Sequence, residues 1–205
     1  MKKLLLFFAL ALLCVGAVFG GEAAGLKVDS VTWASANIDD YQTFASRPDM
    51  YTKFYQWNRG TAWSATSETV SEWNSSRDTA STWRVNPCPA GWRLPTQKEF
   101  EALHKAGTTW AEANTRGNAV AGRFYGASHA TASLPDSMEN CVFLPAVGYR
   151  YGSDGALFRQ GNSGDYWSAT ELNSILGYSL YFYSRSSGPG NYLDKATGYS
   201  VRCVK

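Results

Sequence analysis

Asn86-Pro-Cys-Pro-Ala-Gly-Trp-Arg-Leu-Pro-Thr-Gln-Lys-Glu-Phe-Glu-Ala-Leu103 carries the most definite local instruction in the chain. Thr96 followed by Glu99 is a capping box, in which the threonine hydroxyl accepts from the Glu99 backbone N–H while the carboxylate reaches back to the Thr96 N–H. A helix over about 97–106 follows, with Phe100, Leu103 and Ala106 facing inward and Gly107 as the stop. Ahead of it, Pro87, Pro89 and Pro95 forbid helix and set an extended entry, on which Trp92 and Leu94 share one face and pack against the core.

Working outward from this anchor, the C-terminal side reads as short strands separated by turns. Gly122-Arg-Phe-Tyr-Gly126 is one, and Cys141 to Val147 is a buried run whose Pro145 marks an edge or a bulge. Ser153-Asp-Gly155 is a hairpin turn, and Tyr166–Thr170, Tyr178–Tyr183 and Tyr199–Val204 are further strands. On the N-terminal side, 26–38 has the β-branched, alternating character of a strand, with Val28, Val31 and Trp33 near one parity. Residues 39–84 lose period but hold Tyr41, Phe44, Tyr51, Phe54, Tyr55, Trp57, Trp63, Trp73 and Trp83. That aromatic density argues for ordered irregular structure rather than a linker, with a short helix within 70–74. One or two helices with several short, mainly antiparallel strands make an α+β domain over 26–205.

The first twenty residues read as a secretory leader. Met1-Lys2-Lys3 is a positive start, Leu4 to Val15 an apolar core, and Gly16, Ala17, Gly20 and Gly21 are small. About twelve apolar residues fall short of the ~20 that a spanning helix needs. Cleavage after Gly20 is expected ahead of lipidation at Cys14, because bulky Leu12 and Leu13 precede that cysteine. Export places the chain in a secreted, periplasmic or cell-surface setting. Removal of Lys2 and Lys3 balances the remaining basic and acidic residues at seventeen each, which argues against a nucleic-acid partner. Of the remaining cysteines Cys88, Cys141 and Cys203, the pair Cys88–Cys203 is the expected disulfide, since each adjoins a strongly patterned segment and a bridge would tie the C-terminal strand to the body. The alternative is three buried reduced thiols.

Chemistry-bearing constellations are sparse. His104 and His129 are the only histidines, and no zinc-type spacing accompanies them; His104, beside Lys105, reads as a solvated surface residue. Asp154 and Asp165 lie in Gly-rich stretches but lack calcium-loop spacing, and turn formation accounts for them. No Gly-x-Ser-x-Gly elbow occurs, Glu99 is committed to the cap, and Glu101 lies on the outer helix face. No cofactor, metal or catalytic residue is expected, and the chain reads as a non-enzyme.

The informative tract is 172–196, crowded with Tyr, Ser, Asn and Gly, a composition that combines rigid amphipathic area with adaptable hydrogen bonding. Period 2 over 178–184 assigns Leu180 and Phe182 to the core and turns Ser179, Tyr181 and Tyr183 outward, continued by Arg185 and a 186–192 loop.

Cys88-Pro-Ala-Gly-Trp-Arg-Leu-Pro-Thr96 with Glu99, Phe143-Leu-Pro-Ala-Val-Gly-Tyr149, Tyr166-Trp-Ser-Ala-Thr170 and Ser200-Val-Arg-Cys203 resemble the Fibrobacter succinogenes major paralogous domain, over about 31–204. The resemblance implies an exported or surface protein with the C-type-lectin-like fold shared with formylglycine-generating enzymes. The paired active-site cysteines of those enzymes have no counterpart here. Tyr166-Trp-Ser-Ala-Thr-Glu171, a polar tract and then Ser200-Val-Arg-Cys203 are also similar to the variable proteins of diversity-generating retroelements. That similarity implies Leu172, Asn173, Ile175, Leu176, Tyr178, Ser179, Tyr181, Tyr183, Arg185, Asn191 and Tyr192 as ligand contacts, with an apolar patch at Leu172, Ile175 and Leu176. The expected partner is a protein or glycan on a cell or phage surface. The rival expectations are a carbohydrate-active or glycan-binding accessory domain, with Trp57, Trp63 or Trp73 stacking on sugars, and a structural envelope or fimbria-like component.

Overall fold

A computed structural model describes residues 25–135, 138 and 140–205. The expected leader at 1–20, with Cys14, lies outside them. The expected strand over 26–38 is instead a hairpin of β1 (Gly25–Val28) and β2 (Val31–Ala34), turning at Asp29 with φ 56°. β3 (Ile38–Asp40) and β4 (Thr43–Phe44) form a second small hairpin. The stretch to Arg84 follows without a helix: 70–74 is a turn and extended chain, and its rings pack on one another, Trp63 with Trp73 and Trp57 with Trp83.

The capping box forms. Thr96 Oγ1 accepts from the Glu99 N–H, and Glu99 Oε2 accepts from the Thr96 N–H at 2.7 Å, opening α1 (Gln97–Lys105). Arg93 adds a two-pronged contact to the Glu99 carboxylate, which is held below its usual range by these donors despite partial burial. Phe100 and Leu103 are buried and Ala106 caps the end. α1 is the single helix among the described residues.

After the helix, β5 (Thr108–Ala111), β6 (Gly122–Gly126) and β7 (Cys141–Pro145) make an antiparallel sheet. Pro145 ends edge strand β7, where its missing N–H is harmless, and its carbonyl accepts from the Tyr166 hydroxyl at 2.7 Å. β8 (Tyr149–Arg150) and β9 (Leu157–Phe158) flank the turn at Gly155. β10 (Ser163–Glu171), β11 (Leu176–Tyr183) and β12 (Ser186–Asp194) form the second three-stranded sheet. β12 corrects the expected 186–192 loop. Its Gly and Pro content hid the strand, and Pro189 is accommodated on an edge beside a register shift between Ser179 and Tyr181.

The expected strand over 199–204 is not one. Tyr199 pairs with Tyr55, Ser200 with Tyr166, and Val204 with both Trp33 and Arg93, while the Cys203 carbonyl accepts from Ala34. The segment changes partner every residue or two, so its backbone is satisfied without building a ladder. It works as a central spine. Arg202, fully buried, donates Nε to Asn37 Oδ1 (2.8 Å) and its remaining nitrogens to the carbonyls of Ala34, Ser35 and Phe143. Burial without a carboxylate lowers its pKa to about 10. Arg150 similarly donates to the carbonyls of Ser64, Ser67 and Gly155. The Cys88–Cys203 disulfide ties the spine to the entry of α1, and Cys141 remains reduced and buried.

Three apolar clusters result, a small one of Ala111, Phe124, Ala132, Leu134, Cys141 and Phe143 and two larger ones. One joins Trp33, Phe54, Phe100, Tyr125, Val142, Tyr166, Leu180 and Phe182. The other joins Tyr55, Trp57, Trp92, Leu94, Trp167, Tyr199 and Val201 around the disulfide. The β10–β12 sheet lies between the two larger clusters.

Candidate ligand-binding surface

The position of that sheet decides where the 172–192 tract meets solvent. Tyr166 opposite Leu180, and Gly164 opposite Phe182, face the first cluster. Gly164 sits under the Phe182 ring, where a Cβ would collide with it. Trp167 opposite Ser179 faces the second cluster. Both faces are therefore covered at mid-sheet, which corrects the expected outward row: Ser179 is fully buried, with Asn191 Nδ2 donating to its hydroxyl at 3.4 Å. Alternation gave the right faces but not that a second core lies on the outer one.

The tract is exposed at its two ends. At the β10–β11 turn, Leu172 (39%) and Ile175 (47%) are open to solvent, and Asn173 Oδ1 accepts from the Ile175 and Leu176 N–H groups, so Asn173 builds the turn. Leu176 is half-buried, and the Tyr178 and Tyr192 rings meet edge-on, their centroids 6.3 Å apart. At the opposite end of β11, Tyr183 (40%) leans on half-buried Tyr181, and Arg185 is exposed. Over the eight residues of β11 these ends lie about 23 Å apart at ~3.3 Å per residue. The expected contacts thus form two patches rather than one face.

An ion pair closes the base of the tract. Lys195 Nζ, completely buried, donates to Glu171 Oε2 at 2.9 Å and to the Ala80 carbonyl at 3.0 Å, and stands 4.9 Å from the Trp57 ring centre. These two residues immediately bracket 172–194.

Beside the first patch, a cleft of about 580 Å³ lies between Tyr192, Leu176 and Asp194 on one side and Arg77, Tyr151 and Ser153 on the other. Sequence reasoning missed the second group. Tyr151 and Arg77 lie far from the tract in the chain, and no local pattern signals their approach.

Other expected or rejected positions fall as follows. Trp57 is fully buried and unable to stack on a sugar, while Trp73 packs on Gly155 and donates to the Gly152 carbonyl. Asp154 shapes its turn by accepting from the Ala156 N–H. Asp165 lies in β10 rather than in a turn, buried, with the Ser163 hydroxyl donating to it at 3.0 Å; desolvation pushes its pKa up to about 7. His104 is half-buried against β12, with Nε2 and Ser187 Oγ at 2.9 Å, and so is not the solvated residue expected. Among the described residues no three His, Cys, Asp or Glu side chains gather as metal ligands, and no helix is long and apolar enough to cross a membrane.

No curated protein and no solved structure matches the chain. The family model of the Fibrobacter succinogenes major domain matches residues 24–205, a span that takes in every described residue, and the protein belongs to that family.

Proposed function

We propose that this protein is an exported or surface-displayed binding module with a C-type-lectin-like core, recognising a protein or glycan through the solvent-exposed ends of 172–192 without turning it over. The carrying observation is the concentration of exposed apolar side chains. Leu172, Ile175, Tyr183 and Tyr192 are four of the eight exposed large hydrophobics among the described residues, all within one tract. Side chains of this kind serve as binding anchors when the frame beneath them is rigid. Rigidity comes from the disulfide, the buried arginines and the Glu171–Lys195 pair, so little ordering accompanies binding. The Lys-Lys start and apolar run of residues 1–20 support export. The bracketing of the tract by the Glu171–Lys195 pair fits a segment diversified between fixed motifs. A reverse-transcriptase gene and a near-copy of the coding segment beside this gene would support that part; their absence would sink it.

The test is a screen of the secreted chain against arrays of bacterial surface proteins and glycans. The variant Leu172→Ser/Ile175→Ser/Tyr192→Ala is expected to lose the retained ligand while its melting temperature stays within a few degrees. A large fall in melting temperature would favour the structural-component reading, and turnover of a retained glycan would overturn pure binding.

A further inference from the structure

We propose that the cleft between Tyr151 and Tyr192 is a binding site for a neutral saccharide. This rests on the ligand-binding reading above and narrows it to one place and one chemistry. Three stretches distant in sequence build the cleft, and hydrogen bonds fix their mutual placement. Trp73 Nε1 donates to the Gly152 carbonyl at 2.9 Å, Arg59 to the Ser76 carbonyl at 2.9 Å, and Gln56 Nε2 to the carbonyls of both Asn74 (2.6 Å) and Ala196 (2.7 Å). A ligand therefore meets a formed cavity, and its volume falls within the ~300–1,000 Å³ common for small-ligand sites.

The charge pattern selects the ligand. Arg77 and Asp194 pair at 2.5 Å with side chains 48% and 31% exposed, so the cleft mouth is already neutralised. An anion gains from Arg77 and loses to Asp194, and a cation the reverse. What the pair offers is a fork of N–H donors beside a carboxylate acceptor, with the Ser75 and Ser153 hydroxyls nearby. Adjacent sugar hydroxyls, each able to donate and to accept, match that set. Tyr151 and Tyr192, each 51% exposed, supply ring faces whose negative quadrupole suits the C–H face of a pyranose. An uncharged ring with one apolar face and a hydroxyl-rich edge satisfies both halves of the cleft.

The experiment uses an array of neutral glucan, mannan, xylan and galactan oligosaccharides alongside sialylated and sulfated ones, then calorimetric titration of a retained neutral oligosaccharide. Tyr151→Ala, and Ser153→Trp, which fills the cleft, are each expected to weaken binding about tenfold or more. Glu101→Ala, on the exposed face of α1, should leave it unchanged, and all three should melt close to the parent. Retention only of anionic sugars, or equal affinity in Tyr151→Ala, overturns the proposal. Loss of binding in Tyr183→Ala, at the other patch, with full binding in Tyr151→Ala, or capture of a protein but no sugar, overturns the cleft while leaving the ligand-binding reading intact. Retention of neither class overturns both.

Discussion

Lys195 is a charge placed where water cannot reach it, and the two ways of breaking its ion pair should differ sharply. Glu171→Ala strands the ammonium against one neutral carbonyl, that of Ala80, and the Trp57 ring. Removing one partner of a buried pair costs about 3–5 kcal/mol, because the remaining charge stays desolvated. Lys195→Met removes the buried charge and keeps most of its volume. The Glu171 carboxylate left behind is 29% exposed and water can solvate it, so the loss is mainly the contact with Trp57, about 1–2 kcal/mol. Glu171→Ala is therefore expected to be the more damaging. Combining it with Lys195→Met should restore part of the loss, the signature of coupled residues. Urea unfolding read at the midpoint, with an unchanged slope, measures each difference. At roughly 2–4 °C per kcal/mol for a domain of this size, Glu171→Ala should melt ~6–20 °C lower than the parent. If Lys195→Met is the worse variant, or the double variant is simply additive, the buried-charge account of this pair is wrong.

The Cys88–Cys203 bridge spans 115 residues, so in the chain-entropy treatment Cys203→Ser should cost about 4–5 kcal/mol, visible as a fall of ~8 °C or more in melting temperature; an unchanged transition would refute this. Asp165 makes a pH prediction. Its folded pKa of about 7 lies above the ~3.9 of an unfolded aspartate, so its favourable contribution is complete below about pH 4 and is lost as pH rises through 7, at ~1.4 kcal/mol per unit between the two values. Asp165→Asn should therefore gain stability on the parent between pH 5 and pH 8 in calorimetric melts; a constant difference across that range would refute the assignment.

Much of the frame is legible in local chemistry. Thr96 and Glu99 satisfy each other within four residues, so the helix start needs no tertiary information. Trp92 and Leu94 face inward as their two-residue spacing requires, and Cys88 pairs with Cys203 as expected. What escapes the sequence depends on distant partners. Period 2 along 178–183 separates the two sides of β11 but cannot say that the far side meets Trp57 and Trp167, and so it misplaced Ser179. β12 was hidden because Gly188, Pro189 and Gly190 read as a loop; its pairing with β11 and its edge position override that propensity. The 199–204 spine shows the converse: strong β-forming residues build no ladder when each finds a different neighbour. Tyr151 and Arg77 join the cleft through tertiary approach alone.

The spine also dictates an order of events in folding. Thr32 and Lys205 exchange two backbone hydrogen bonds, and the Ala34 N–H donates to the Cys203 carbonyl, so β2 has no complete set of partners until residues 203–205 are available. Contacts of such long sequence separation form late and slowly. The N-terminal hairpin is therefore completed only once a segment about 170 residues further along has been brought to it.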